Sequence, residues 1–260
     1  MRTIAITGAA SGVGRGLAER FLAAGDRVVG MDIQREALDA LAAAWPGRFH
    51  AAPCDLTRQD QMEQAARAAE SVSGSVDILI HSAGIVAGRT VIELDPETLE
   101  RIFRVNVFAP FALTRLLLPG MLRAGSGHIV TVASAGGLVA TTRMAAYASS
   151  KFAAVGFDEA LRLELRSMQA PVTTTVICPY YIDTGMFDGV MTRFSWLLPI
   201  LSTREAVDRM YRAIEKRKKR LIMPRFVHAV FLARLLPVTW FDSLMTLLGV
   251  TSSMDEFSGR

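Results

Sequence analysis

Thr3-Ile4-Ala5-Ile6-Thr7-Gly8-Ala9-Ala10-Ser11-Gly12-Val13-Gly14 decides how this chain is read. The first five residues are short, apolar and rich in β-branched side chains, which is the composition of a buried strand. Glycines follow at Gly8, Gly12 and Gly14, with Ser11 and Val13 between them, and a helical pattern then runs from Arg15 to Ala24. Strand, glycine turn and helix, in that order, can place a diphosphate at a helix start. Glycine lets the backbone approach closely, and the free N–H groups and the helix dipole favour an anion. An ordinary tight strand-to-helix connection has the same outline. The next strand, Arg27 to Met31, ends on Asp32, eighteen residues beyond Gly14. A carboxylate there accepts hydrogen bonds from adenosine ribose hydroxyls and repels a 2′-phosphate. No lysine or arginine immediately flanks Asp32, and Ser11 rather than a basic residue precedes Gly12. The pattern predicts NAD in preference to NADP; the alternative is a solvated turn aspartate.

The remaining pattern alternates in the same way. A helix over 34–44 leads to a strand from Phe49 to Cys54, with Asp55 and Leu56 just beyond it, where the aspartate can touch an adenine edge. A helix over 57–73 is followed by an apolar strand, Val76 to His81, that runs into Ser82-Ala83-Gly84. Asp95-Pro96-Glu97 is a strong helix start, and that helix extends to about Arg123 with Asn106 near its middle. A strand over 128–133 ends at Ser134, a helix spans 144–168, and a strand over 172–178 ends in Pro179. Residues 180–201 are irregular, aromatic and Met-rich. Ser202 and Glu205 form a capping box, and Leu221 to Met223 is a last short strand. Strands alternating with helices imply α/β architecture: a doubly wound parallel sheet of about seven strands with helices on both faces. No repeat, low-complexity tract or linker interrupts it. A single domain over 1–224 is expected, with a helical C-terminal extension over 225–260.

The chain has 260 residues, 51% hydrophobic and 21% charged, enough for one large core. Its net charge of +4 is modest, and much of the basic excess lies in Lys216-Arg217-Lys218-Lys219-Arg220, without interleaved aromatics, so nucleic-acid binding is not indicated. Cys54 and Cys178 read as buried reduced thiols, and no metal-binding cluster is apparent. The chain opens directly into its first strand without a signal peptide, and no uninterrupted apolar run reaches the roughly 18 residues of a membrane span. A cytoplasmic protein is the expectation.

Tyr147 and Lys151 stand four apart in the helix over 144–168, so their side chains share one face. An ammonium beside a phenol favours the phenolate and brings a group of ordinary pKa about 10 toward proton exchange near neutrality. Tyr-x-x-x-Lys alone also occurs by chance. Asn106 among Val105, Val107 and Phe108 is costly if unpaired; it reads either as a capped core amide or as a hydrogen-bond relay.

Jointly, Thr7-Gly8-x-x-x-Gly12-x-Gly14, Asp55, Asn106, Ser134 and Tyr147-x-x-x-Lys151 resemble the short-chain dehydrogenase/reductase family over residues 3–224, in family order and spacing. The resemblance implies a Rossmann fold and hydride transfer to or from nicotinamide. It implies Tyr147 as general acid/base, with Lys151 lowering its pKa and binding the nicotinamide ribose. Ser134 orients the substrate oxygen, and Asn106 holds a water in a proton relay. Gly8, Gly12 and Gly14 form the diphosphate turn, and Ile182 and Thr184 meet the carboxamide. The chain departs from the family where Ser82-Ala83-Gly84 replaces the usual Asn-Ala-Gly, and where Pro179-Tyr180 replaces Pro-Gly.

Beyond residue 224 the chain is apolar, with Phe226, Val230, Phe231, Leu235, Leu236, Trp240 and Leu244, and follows the basic run. Such a tail can lie on an anionic membrane surface over 216–250, close over a substrate, or meet a partner subunit. It resembles the branch that handles retinol and 17β-hydroxysteroids. With Phe187, Met191, Phe194, Trp196, Leu197 and Leu198 it predicts an apolar alcohol or ketone. The family also implies a homodimer or homotetramer through the helices over 96–123 and 144–168. The competing readings are a catalytically silent dinucleotide-binding regulator and a membrane-peripheral scaffold.

Overall fold

Seven of the strands align side by side, all parallel, in the computed structural model of the protein, which describes residues 1–259. In chain order the strands are β1 (Thr3–Thr7), β2 (Arg27–Asp32), β3 (Phe49–Pro53), β4 (Ile78–His81), β5 (Gly127–Val132), β6 (Val172–Pro179), β7 (Ile182–Asp183), β8 (Leu201–Ser202) and β9 (Arg220–Met223). The helices are α1 (Gly12–Ala23), α2 (Arg35–Ala44), α3 (Gln59–Ser71), α4 (Pro96–Phe103), α5 (Ala109–Ala124), α6 (Ala145–Ser167), α7 (Thr203–Glu215), α8 (Ala229–Ala233) and α9 (Val238–Leu247). The main sheet runs β3-β2-β1-β4-β5-β6-β9, and β7 with β8 forms a separate two-stranded pair. The chain winds outward from β1 in one direction to β3 and in the other to β9. The strand order therefore reverses between β1 and β4, and ligands bind open sheets outside the carboxyl ends at such a point.

Both faces of the sheet are covered, which is why its strands read as continuous apolar runs. Ile4 and Ile6 of β1 point into one core layer with Leu17 and Phe21 of α1 and Met210 and Ile214 of α7. Ala5, between them, points into the other, with Leu113 and Leu117 of α5 and Leu161 and Leu165 of α6. This is the period-two alternation of a strand buried on both sides.

Three boundaries differ from the sequence expectation in ways that matter. The first helix begins at Gly12 rather than Arg15, so Gly12, Val13 and Gly14 form its first turn. The third helix begins at Gln59 rather than Thr57, because the Asp55 carboxylate accepts from both the N–H and the hydroxyl of Thr57, at 2.9 and 2.8 Å, and holds that residue in a turn. The long helix from Pro96 to Ala124 carries a π-turn at Arg104–Phe108, centred on Asn106. That helix is long and apolar enough to cross a membrane by composition alone. Half of its apolar window is buried, and Leu113, Leu117 and Met121 lie in the core against α3 and the sheet. The Asp95 cap is as expected, whereas the capping box at Ser202 is half formed, the Glu205 carboxylate accepting from Arg209 instead. Asp95 accepts from the Thr98 N–H at 2.7 Å and Ser202 from that of Glu205 at 3.3 Å. Cys54 and Cys178 are buried free thiols.

Candidate active site

A crevice of about 960 Å³ opens outside the carboxyl ends of β1, β2, β4, β5 and β6. The turn residues Gly8, Ser11, Gly12, Val13 and Gly14 lie at one wall with Asp32; Asp55, Leu56, Ser82, Ala83 and Gly84 lie along the floor; Ser134, Tyr147, Lys151, Pro179, Ile182 and Thr184 close the other end. Of the catalytic and cofactor residues expected from sequence, Asn106 alone does not line it.

The glycine turn is built for close approach. Gly8 sits at φ +71°, and a Cβ there would lie 2.9 Å from the Ala83 backbone. A Cβ on Gly14 would collide with the Gly8 carbonyl oxygen. Both positions thus exclude any side chain, Gly8 through its left-handed backbone and Gly14 through contact. Ser11 precedes α1 without a side-chain capping bond, and the first turn carries no acid. The N–H groups of that turn are therefore free to meet an anion, and the helix dipole favours one. Thr7 fixes the turn against the neighbouring strand end, because its hydroxyl accepts from the N–H groups of Ser82 and Ala83, both at 3.1 Å.

Asp32 is buried at the end of β2 and accepts from the Ala10 N–H at 3.1 Å and the Gln34 N–H at 3.0 Å. One bond to each oxygen orients the carboxylate and leaves lone pairs over for ribose hydroxyls. This donor and acceptor set fits a nicotinamide dinucleotide along the crevice, from Asp32 past the glycine turn toward Lys151.

Tyr147 and Lys151 are both almost fully buried on α6. The Lys151 ammonium lies 5.6 Å from the centre of the Tyr147 ring and donates to the Val132 carbonyl at 3.0 Å. Burial pulls its pKa down from 10.5 to about 8. Burial likewise pushes the Tyr147 phenol well above its ordinary value, with the Ser134 hydroxyl pulling the other way. The spacing in the sequence suggests a phenol pulled down by the lysine, but burial sets the direction of the shift. Ser134 stands just past β5, where its hydroxyl accepts from the Gly136 N–H at 3.0 Å. A Cβ on Gly136 would touch both Ser134 Oγ and the Tyr147 ring, at 3.4 and 3.5 Å, so those two side chains flank one small space.

Asn106 is a fully engaged amide. It donates to the Ile85 carbonyl at 3.0 Å and to Ser150 Oγ at 2.9 Å, and it accepts from the Ile85 N–H at 2.9 Å. It clamps the segment after β4 to α6, one turn from Tyr147. A Cβ on Gly84 would lie 3.3 Å from Lys151 Nζ and 3.5 Å from Asn106 Oδ1, so both side chains border Gly84.

Of the roles the sequence leaves open for the tail, closing over the site is the one its last residues take, although the individual contacts are not legible in the sequence. Tyr147 packs edge-on against Phe187, with ring centres 5.8 Å apart, and Phe187 against Tyr181 at 5.2 Å. Val86, Met144, Val190 and Met254 complete that cluster, and the Tyr181 hydroxyl meets Ser253 Oγ at 2.9 Å. The end of the chain thus closes over Tyr147, pinned by hydroxyl bonds from Thr141 to the Val250 carbonyl and from Thr142 to that of Thr251. These loop contacts have no periodic pattern; the hints in the sequence are the density of aromatic and methionine residues over 180–201 and the apolar tail.

Residues 2–193 match the model of the short chain dehydrogenase family. Epidermal retinol dehydrogenase 2 of Mus musculus is 36% identical over 263 residues, covering 99% of this chain and 85% of that protein. Estradiol 17-beta-dehydrogenase 11 of Homo sapiens is 35% identical over 252 residues, covering 95% and 83%. Among solved structures, a short chain dehydrogenase/reductase of Burkholderia phymatum in complex with NAD superposes with a TM-score of 0.80 at 27% identity, covering 90% of this chain and 93% of that one. The chain belongs to the short-chain dehydrogenase/reductase family, oxidoreductases that work with a nicotinamide dinucleotide.

Proposed function

We propose that the protein interconverts a lipophilic alcohol and its carbonyl compound by hydride transfer with NAD. The observation that carries this reading is the convergence of a buried phenol, a buried ammonium and a hydroxyl in the same crevice as the Asp32 carboxylate and the free first turn of α1. NAD supplies the hydride acceptor. This chain supplies the rest. Ser134 holds the substrate oxygen, and the Tyr147 oxygen takes the alcohol proton or returns it to the ketone. Lys151 keeps positive charge beside the phenol, opposing the upward pull of burial, and Asn106 holds the Ile85 segment and α6 in register around it. Dehydrogenase relatives named for retinol and estradiol, together with Phe187 over Tyr147, support an apolar substrate.

Asp32 tests the choice of cofactor. kcat/KM with NAD is expected to exceed that with NADP by tenfold or more, on the order of 1.5–3 kcal/mol for bonds to a charged acceptor. Asp32→Asn, which keeps the shape but removes the charge, narrows the gap. Steady-state rates with both cofactors, alongside a thermal melt of the variant, measure it. Equal or better use of NADP by the unaltered enzyme contradicts the assignment.

The tail supports a peripheral membrane contact. Leu232, Leu235, Val238, Trp240 and Leu247 are strongly exposed, and the basic run 216–220 is exposed as well. Apolar side chains with a nearby cationic cluster fit an anionic lipid surface. The full-length protein is expected to sediment with vesicles containing anionic lipid, and the Leu235→Glu/Trp240→Glu variant to remain in the supernatant. Equal partitioning of the two removes the membrane role. Exposed Phe108 and Phe111 on the α4–α5 helix and Phe152 and Leu163 on α6 support a second copy of this chain as partner.

A further inference from the structure

A second cavity, of about 390 Å³, lies between the tail and the edge of the sheet. It is lined by Ala135 and Val139 from the segment after Ser134, by Leu198, and by residues of α8, α9 and the turns around them. Apart from one phenol, that of Tyr180, every lining side chain is apolar. Its volume falls within the range of small-molecule sites, about 300–1,000 Å³.

Tyr180 also lines the cofactor crevice, so this residue stands between the two spaces. It packs against both the cluster around Tyr147 and the cluster under the tail. Its backbone N–H is tied to the Met223 carbonyl at 2.8 Å, and its ring lies 4.5 Å from that of Tyr181. The opposite wall is tied down too. Arg234, just past the end of α8, donates twice to the Leu138 carbonyl at 2.9 and 2.7 Å and lies over the rings of Phe152 and Phe241. Leu138 is four residues from Ser134, so the cavity wall and the Ser134 hydroxyl belong to one braced unit.

We infer that this cavity is the binding site for the apolar chain of the substrate, and that Tyr180 is the specificity-determining residue that admits the chain while its reacting carbon stays at Ser134 and Tyr147. The inference rests on the oxidoreductase reading and adds to it where the remainder of the molecule goes. A wall of apolar side chains gains from each methylene it covers and has nothing to offer a polar group. Tyr180, shared with the catalytic crevice, makes the substrate's own chain the occupant we assign. A small polar alcohol bound at Ser134 leaves the cavity unused.

The test is a homologous series of straight-chain secondary alcohols with NAD. In the unaltered enzyme kcat/KM rises with chain length, by about fourfold for each buried methylene, until the cavity is full. Ala233→Phe, which fills the cavity from α8, lowers the ratio of the longest to the shortest substrate by at least tenfold. Ala229→Phe, one turn earlier on the same helix, serves if the first variant does not fold. Tyr180→Ala, which removes the partition, raises that ratio above the unaltered enzyme's. Parallel chain-length profiles in the unaltered and filled enzymes overturn the inference. If no alcohol of any length is oxidised, the oxidoreductase reading fails by itself. The cavity is then judged by calorimetric binding of the longest matching ketone: tenfold weaker binding to the filled variant supports it, and equal binding rejects it.

Discussion

Tyr147→Phe retains NAD binding and loses turnover by a factor on the order of 10³, within the range for removing a positioned acid/base. The ring is held by Phe187, Met254 and Tyr181 whether or not it carries a hydroxyl, so the cluster over the crevice keeps its shape. Asp32 and the glycine turn lie at the other end of the crevice and do not depend on the phenol. What disappears is the hydroxyl that flanks the space beside Ser134 and to which the proposed function gives the proton transfer. The upward pull of burial on that phenol sharpens the expectation, since proton release from Tyr147 depends on nearby positive charge, and Lys151 is the buried cation on the same helix face. Single-turnover NADH formation gives the chemical rate, and calorimetric titration with NAD gives binding. Undiminished turnover means another group is the base; lost NAD binding means the tyrosine is structural.

Lys151→Met abolishes most of the activity and makes the protein more stable near neutral pH. The two results share one cause. The ammonium is buried with a single hydrogen bond, to the Val132 carbonyl, and its pKa falls from 10.5 to about 8. A depressed lysine means that the unfolded chain binds its proton more readily. Between pH 8 and 10.5 the unfolded state carries more protons than the folded one, so stability rises with pH across that window. Below it the cost of burial is fully present. A tenfold change in proton affinity is worth about 1.4 kcal/mol, which puts the ceiling on that cost at about 3 kcal/mol. The lost bond to Val132 offsets part of this, so about 2 kcal/mol of added stability is expected near pH 7. Urea unfolding near pH 7 and near pH 10 measures both the gain and its disappearance. A variant less stable than the parent at neutral pH shows the buried ammonium to be net stabilising, against this account. Stability given up at a functional group is a common pattern in enzymes.

How much of this is legible in the sequence follows from range and periodicity. The β1 turn, Asp32 and the Tyr147-Lys151 pair are local patterns, each contained in one strand end or one helix face, and the sheet that unites them follows from strict strand-helix alternation. Asn106 shows only as a misplaced amide. Its partners are Ile85 and Ser150, at separations of 21 and 44 residues, and the π-turn that presents it has no sequence signature. The burial that raises the Tyr147 phenol is out of reach, because it depends on Phe187, Tyr181 and Met254 arriving from two other segments. The Tyr181–Ser253 bond joins positions 72 apart. The tail reads as apolar and helical, but which of its apolar side chains turn inward depends on partners far away in the chain, and the bond from Arg234 to Leu138 spans 96 residues.

The most direct test of the central claim is a crystal structure of the protein grown with NADH. The account predicts the adenosine ribose on Asp32, the diphosphate over the first turn of α1, and the nicotinamide face turned toward the space between Ser134 and the Tyr147 oxygen, with Lys151 within hydrogen-bond reach of the adjoining ribose. A dinucleotide bound elsewhere, or one whose nicotinamide faces away from Tyr147 and Ser134, contradicts it.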